Sequence, residues 1–218
     1  MKYEIKDDNC SVVICHLKQG EKMISGNDAI AWNDACIKTK TYDPSSIFTS
    51  LFNKKNADRK ISAALQDGNI AFTVGFPGNI LPVSVVSGQT FIIPRSVFVA
   101  SEDSIMLSSL QNNLINSISL PDLNRISGQG MCFIKIHGQI VEYDLLPGQQ
   151  LLINSTDLLM METTCKMKIR SMLKLKNKSI LDQTNKNILI TGPGRVIIQA
   201  IPFSVNNTLL SLLRRNAS

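Results

Sequence analysis

Residues that bind metals or transfer protons are scarce in this sequence, histidine above all: the 218-residue chain has two, His16 and His137. Neither has a second histidine or a glutamate at the spacing of a cupin-type HxH metal site. A catalytic Ser or Cys needs a base beside it, and the neighbours Cys15 and His16 would point to opposite faces of a strand. We therefore interpret both histidines as structural. The sequence predicts no catalytic residue, no metal and no cofactor.

Long apolar runs are also absent, because no window approaches the ~18 consecutive apolar residues that a membrane-spanning helix needs. The charged residues 1–8 have no apolar stretch behind them, so no signal peptide is predicted. Five cysteines, without a CxxC pair, lie in apolar runs, which favours reduced, buried thiols over disulfides. They are Cys10, Cys15, Cys36, Cys132 and Cys165. These features predict a cytoplasmic protein without a transmembrane segment.

Short apolar segments make up most of what is present, in a chain that is 44% hydrophobic and 18% charged. Residues 12–15, 71–74, 132–136 and 188–190 are rich in β-branched or aromatic side chains and are bounded by Gly, Pro, Asn or Asp. Such segments are too short for helices and fit strands. Many short strands at close spacing predict an all-β sandwich or barrel in one domain.

Three stretches of the chain resemble one another around a glycine turn, at Gly20, Gly88 and Gly148. After each glycine come Glu or Gln, an apolar pair, a polar break, a second apolar run and an acidic turn. The acidic residues are Asp34, Glu102 and Glu162. This pattern predicts a single β domain over residues 1–203, with repeats at about 10–76, 77–137 and 138–203. Residues 204–218 are predicted as a C-terminal helix or tail.

Each repeat also contains a segment of different character, at residues 44–55, 108–123 and 169–184. In the first of these, apolar side chains recur at helical spacing behind a serine N-cap, which predicts a short amphipathic helix. We interpret all three as inserts that cover the sheets or contact a neighbouring subunit.

A basic stretch in the third repeat is the main charge feature of a chain with a formal net charge of +6. Its cations are Lys166, Lys168, Arg170, Lys174, Lys176 and Lys178, with no acidic residue between positions 163 and 181. They are candidate anion-binding residues for RNA or a membrane surface. Alternatively, they form a solvated strand face and a lysine-guarded sheet edge, which the lack of aromatic stacking partners in this stretch favours.

Residues 1–5, 17–21, 91–101, 143–148 and 191–196 resemble the family of "altered inheritance of mitochondria protein 24", and the resemblance covers almost the whole chain in order. It implies a fold similar to the tryptophan RNA-binding attenuation protein (TRAP), a TRAP-like barrel of the double-stranded β-helix group. It also implies a homo-oligomer, with a trimer favoured. Bacterial members are largely of unknown function, and fungal members are associated with mitochondrial inner-membrane organisation. The family's glycine-rich loops are replaced here by residues 43–56 and 112–129, which have fewer glycines.

From these observations we expect a non-enzymatic oligomeric scaffold or binding module. The alternative is an RNA or small-ligand binding protein, by analogy with the tryptophan RNA-binding attenuation protein.

Overall fold

Antiparallel β-strands dominate the structure, a computed structural model that describes residues 1–7, 11–41, 59–75, 78–110, 122–170 and 187–200. Within these ranges there are nineteen strands and one 3-10 turn, Arg95–Val97. The first strand is β1 (Lys2–Asp7). The next six, set 1, are β2 (Ser11–Leu17), β3 (Lys22–Gly26), β4 (Ile30–Asn33), β5 (Ile37–Thr41), β6 (Arg59–Ala64) and β7 (Gly68–Thr73). Set 2 comprises β8 (Asn79–Val85), β9 (Phe91–Pro94), β10 (Phe98–Glu102), β11 (Ile105–Ser109), β12 (Leu123–Gly128) and β13 (Gly130–Ile136). Set 3 comprises β14 (Gln139–Leu145), β15 (Gln150–Asn154), β16 (Leu158–Glu162), β17 (Lys166–Arg170), β18 (Asn187–Thr191) and β19 (Gly194–Ala200).

The described strands form four sheets, and every strand pair is antiparallel. Sheet 1 has the order β1-β2-β7-β4 and sheet 2 the order β5-β6-β3-β10-β13-β8. Sheet 3 has the order β11-β12-β9-β16-β19-β14 and sheet 4 the order β15-β18-β17. The all-β prediction is confirmed.

One pairing pattern occurs in all three strand sets. The sixth strand of a set pairs with the first and third, and the fifth pairs with the second and fourth. The second strand of one set then joins the third strand of the next, as β3 joins β10 and β9 joins β16. In each set the ladder between the third and sixth strands also shifts register, at Ile30/Trp32, Phe98/Ala100 and Leu158/Met160.

The prediction of a closed barrel is wrong for the part of the chain that the structure describes, because each of the four sheets there ends in two edge strands. The two linking pairs, β3–β10 and β9–β16, have no third counterpart in that part. As a result β4, the third strand of set 1, and β15, the second strand of set 3, are sheet edges.

The predicted helical inserts and the C-terminal helix fall mostly outside the described residues. Where the inserts overlap the described ranges, residues 108–109, 123 and 169–170 are strand, and residues 110 and 122 have no regular secondary structure. The strand residues belong to β11, β12 and β17. Their backbone N–H and C=O groups are paired with neighbouring strands, so they are not available for the hydrogen bonds of a helix.

Among the described residues, apolar side chains fill the space between successive sheets in three clusters. The first joins sheets 1 and 2 and contains Phe72 and Phe133, and the second joins sheets 2 and 3 and contains Cys132 and Ile93. The third joins sheets 3 and 4. Sheets 2 and 3 are therefore covered on both faces, which explains why residues 158–161 of β16 are all apolar and all buried.

The glycine turns predicted from the sequence adopt a left-handed backbone. Gly20, Gly88 and Gly148 have φ of 87°, 87° and 81°, a region that only glycine enters without strain. In the first and third turns the following side chain accepts a hydrogen bond from the backbone two residues before the glycine. The Lys18 N–H donates to Glu21 Oε2 at 2.8 Å, and the Leu146 N–H donates to Gln149 Oε1 at 3.0 Å.

The acidic turns hold the start of the sixth strand in each set. Each carboxylate accepts a hydrogen bond from the backbone N–H of the residue that follows a glycine in that strand. The pairs are Asp34 Oδ2 with the Asn69 N–H at 2.8 Å, Glu102 Oε2 with the Met131 N–H at 2.7 Å, and Glu162 Oε2 with the Arg195 N–H at 3.0 Å. A charged acceptor therefore ties the end of the third strand to the sixth in all three sets.

Candidate functional site

A cleft of about 470 Å³ opens between sheets 2 and 3, beside the 3-10 turn. Strands β3, β6 and β10 form its sheet 2 wall, and β12 forms the opposite wall. Its lining includes Gly26, Arg59, Arg95, Phe98, Asp122 and Asn124. A cleft of this volume is in the range of small-molecule sites, about 300–1,000 Å³.

Arg59 is the first residue of β6 and is only 4% exposed. Its Nη1 donates a hydrogen bond to the Leu107 carbonyl at 3.4 Å. The guanidinium carbon lies 5.7 Å from the centroid of the Phe98 ring, within the distance of a cation–π contact. These contacts fix a buried positive charge in the wall of the cleft.

Asn124 faces the same space from β12 and is 1% exposed. Its side-chain Nδ2 has no hydrogen-bond partner among the described residues. Leaving a buried donor unsatisfied costs about 1–3 kcal/mol. The fold therefore keeps a destabilising donor at this position.

Arg95 and Asp122 complete the polar lining. The Arg95 N–H donates to the Asp122 carbonyl at 2.7 Å, which holds the 3-10 turn against the start of β12. Arg95 is half-buried and Asp122 is exposed. The lining therefore contains two guanidinium groups and one carboxylate.

The sequence-predicted basic residues lie on a different surface. Lys166, Lys168 and Arg170 alternate along β17 and are exposed, while Met167 and Ile169 between them are half-buried. The three cations thus share one face of an edge strand of sheet 4, with neighbours about 7 Å apart along the strand. The other three predicted residues, Lys174, Lys176 and Lys178, lie outside the described residues.

The two histidines do not lie in the same strand set. His16 lies in β2, exposed, with Nδ1 at 2.7 Å from Asn69 Oδ1. His137 lies between β13 and β14, and its backbone N–H donates to Gln199 Oε1 at 2.9 Å. Over the described ranges, His, Cys, Asp and Glu form no group of three or more that could hold a metal ion.

The cysteines that the structure describes are free thiols, and most are buried. Burial raises the pKa of Cys132 to about 12. The pKa of Cys15 is also raised to about 12, first by burial and then by the charge of Glu102. Burial likewise raises the pKa of Cys165. At neutral pH these thiols are protonated and therefore weak nucleophiles.

A family model described as "Mitochondrial biogenesis AIM24" matches residues 3–201. The chain belongs to this family. The resemblance that the turns and strands indicated is thereby confirmed.

The fold is also similar to an X-ray crystal structure of protein SPYM3_0169 from Streptococcus pyogenes. The TM-score is 0.77 at 16% sequence identity, with 99% of each chain covered. A comparison with curated proteins found no match. In the described part of this AIM24-family chain, no helix has the length and apolar character needed to cross a bilayer.

Sequence reasoning missed the cleft of this family member, because Arg59 and Asn124 belong to no recognised motif. The available signal was a comparison of the fifth strands. Arg59 of set 1 is equivalent to Leu123 of set 2, because they pair with the equivalent residues Gly26 and Pro94. Asn124 of set 2 is likewise equivalent to Ile188 of set 3, because they pair with Ile93 and Ile153. A polar residue at a position that is aliphatic in the next set, once in set 1 (Arg59) and once in set 2 (Asn124), would have marked the site.

Proposed function

We propose that the chain is a non-enzymatic, self-associating scaffold or binding module, and that it forms a homotrimer. The observation that carries this proposal is the pair of edge strands β4 and β15. Their counterparts β10 and β9 form the links between strand sets, so each edge strand occupies the position of a linking strand in the pairing pattern. Unpaired edge strands readily add a strand from another chain.

The exposed side chains on these edges support the same proposal. Trp32 in β4 is 50% exposed and Leu152 in β15 is 52% exposed. Large aromatic and aliphatic side chains of this kind are enriched at the centres of protein interfaces. Pairing between chains would bury both the edge backbone and these side chains.

We further propose that the three strand sets are internal repeats of a TRAP-like, double-stranded β-helix architecture. The shared pairing order, the register shift at the same strand and the three left-handed glycine turns support this assignment. The repeat boundaries predicted at 10–76, 77–137 and 138–203 stay a prediction.

Light scattering coupled to size-exclusion chromatography tests the self-association. At micromolar concentration the native chain is expected to have three times its 24.1 kDa chain mass by light scattering. The double variant Trp32→Lys/Leu152→Lys should shift toward the monomer, because it places charges on both edges. Leu65→Lys is the matched control, since Leu65 is also exposed but lies outside the strands. A native monomer, or equal dissociation of the control, would contradict the proposal.

A second candidate function is the binding of RNA or another polyanion, favoured by the shared exposed face of Lys166, Lys168 and Arg170 on β17. Phosphate contacts of this kind weaken steeply with salt. Replacing the three residues with Glu should abolish the salt-dependent retention of RNA. The control is Lys38→Glu/Lys40→Glu on β5, the fourth strand of set 1, where both lysines are exposed. Equal loss in the control, or no retention of RNA by the native chain at low salt, would refute this candidate.

The cellular location also stays a prediction. The sequence predicts the cytoplasm, whereas the family description refers to mitochondrial biogenesis. Fractionation of cells that express the native chain distinguishes the two compartments.

A further inference from the structure

We propose that the cleft between sheets 2 and 3 binds a small organic molecule through an oxyanion, either a carboxylate or a phosphate group. This inference goes beyond self-association, because none of the residues that line the cleft belongs to the edge strands β4 and β15. It rests on a buried cation, a buried unsatisfied donor, and the contrast with an equivalent junction in the same chain.

The first observation is the cation Arg59 in the wall of the cleft. A guanidinium has five N–H donors in a rigid planar fork that matches the oxygens of a carboxylate or phosphate. One donor of Arg59 is directed to the Leu107 carbonyl, and the ring of Phe98 supports the group. This packing fixes the orientation of the fork before any ligand arrives, which lowers the entropy cost of binding.

The second observation is the amide of Asn124. It is 99% buried and lines the cleft, and Nδ2 finds no acceptor within the described ranges. Buried polar groups normally have a partner. An oxygen atom of a ligand in the cleft would supply the missing acceptor.

The third observation is the lining of the equivalent junction between sheets 3 and 4. There the positions of Arg59 and Asn124 are taken by Leu123 and Ile188, which are 3% and 1% exposed. The strand arrangement is therefore compatible with aliphatic side chains at both positions. Packing alone therefore does not require Arg59 and Asn124 to be polar, whereas binding of an oxyanion needs hydrogen-bond donors of this kind.

The remaining lining indicates the class of ligand. Arg95 adds a second guanidinium, and the Phe98 ring offers an apolar surface. Gly26 leaves space in the sheet 2 wall, where its counterpart in set 2 is Pro94. A volume of about 470 Å³ admits an oxyanion joined to a small apolar body, such as an aromatic or short aliphatic acid or a phosphate monoester.

Isothermal titration calorimetry of the full chain tests the site with benzoate, phenyl phosphate and inorganic phosphate, and with benzyl alcohol as the uncharged control. We expect benzoate or phenyl phosphate to bind with a dissociation constant at or below the millimolar range, and benzyl alcohol not to bind. Preference for phenyl phosphate over benzoate would assign a phosphate ligand, and the reverse would assign a carboxylate. Equal binding of inorganic phosphate and phenyl phosphate would show that the apolar part of the ligand contributes nothing to affinity, and would overturn that part of the proposal.

Two variants carry the residues of the equivalent junction, Asn124→Ile and Arg59→Leu. Each should weaken binding at least tenfold, because a hydrogen bond to a charged group is lost. Asn124→Ile should also melt at or above the native temperature without ligand, since it removes a buried unsatisfied amide. If either variant fails to fold, the other decides the outcome.

Arg125→Leu is the matched control, because it removes a cation from the exposed face of the same strand β12. It should bind within about twofold of the native chain. The proposal is overturned if none of the three anions binds the native chain, if the folded cleft variants bind as tightly as the native chain, or if Arg125→Leu weakens binding as much as they do.

Discussion

The thiols of Cys15 and Cys132 stay protonated far above neutral pH, because burial raises the pKa of each from 9.0 to about 12. Their pKa in the unfolded chain stays near 9.0. Below pH 9 both the folded and unfolded chains keep the protons, and the thiols add no pH dependence. From pH 9 toward about 12 only the unfolded chain loses them, so the free energy of unfolding falls as pH rises.

Urea unfolding at pH 8 and pH 10 measures this effect. We expect the native chain to lose about 1 kcal/mol per buried thiol over this interval, in addition to the titration of other groups. The variant Cys15→Ala/Cys132→Ala is less stable at pH 8 but should lose less stability between the two pH values. An identical loss in both proteins would show that the folded thiols titrate near their ordinary pKa.

Sequence reasoning predicted side-chain positions correctly where they depend only on the local alternation of a strand. The opposite orientation of Cys15 and His16 is confirmed, because strand alternation alone decides it. Arg59 and Asn124 were missed because their role depends on two sheets meeting. Neither residue has a distinctive neighbour in the sequence, and only the packing of sheet 2 against sheet 3 brings them to one cleft.

The glycines of the turns differ in why a larger residue would be unfavourable: some need a left-handed backbone, and some also lack space for a Cβ atom. Gly148 has φ of 81° with open space where a Cβ would be, so only its backbone conformation requires glycine. Gly194 has φ of 138°, and a Cβ there would also meet Thr164 Oγ1 and, at 2.8 Å, Cys165 Sγ. Gly75 has neither constraint.

Three alanine variants separate these effects by chemical denaturation. Gly148→Ala should cost about 1–2 kcal/mol, from the left-handed backbone alone. Gly194→Ala should cost about 3–5 kcal/mol, because steric overlap adds to backbone strain. Gly75→Ala should be neutral or stabilise by up to about 1 kcal/mol, since it restricts the unfolded chain. Equal costs at positions 148 and 194 would show that the turn around Gly194 rearranges without resistance.

Strands and turns were well predicted because alternation, β-branching and glycine are local signals. The apolar runs at residues 71–74 and 132–136 are strands β7 and β13 over most of their length. The three glycine turns predicted from the sequence have a left-handed backbone. The closed barrel was wrong because whether strands such as β4 and β15 end as sheet edges depends on long-range pairing, which no local pattern encodes. The role of the acidic turns as backbone acceptors also escaped prediction, since their donors lie about 30 residues away.

Over the whole molecule, the apolar clusters cross the boundaries between strand sets. Phe133 belongs to β13 of set 2, but it packs in the cluster between sheets 1 and 2 together with Phe72 of set 1. Strand β3 of set 1 also pairs with β10 of set 2 in sheet 2. The sets therefore share both core and hydrogen bonds, and we expect them to unfold together.

Phe133→Ala tests this coupling. The variant should cost about 3–5 kcal/mol, because it empties a fully buried aromatic site. Amide hydrogen exchange should accelerate in β2 and β7 of set 1 as well as in β13. Val141→Ala, at an exposed position of β14, should cost less than about 1 kcal/mol and leave exchange in set 1 unchanged. Acceleration confined to β8 and β13 would show that the sets unfold separately.

The edge strands β4 and β15 differ from each other, which has a consequence for the proposed assembly. β4 and β15 are different strands, so a contact between β4 of one molecule and β15 of the next is head-to-tail and leaves one free end on each side of the pair. Such contacts either return to their starting point as a ring or continue as a fibre. In the proposed assembly, the rotation between neighbouring molecules therefore determines whether the protein forms a small, discrete particle or polymerises when it is concentrated.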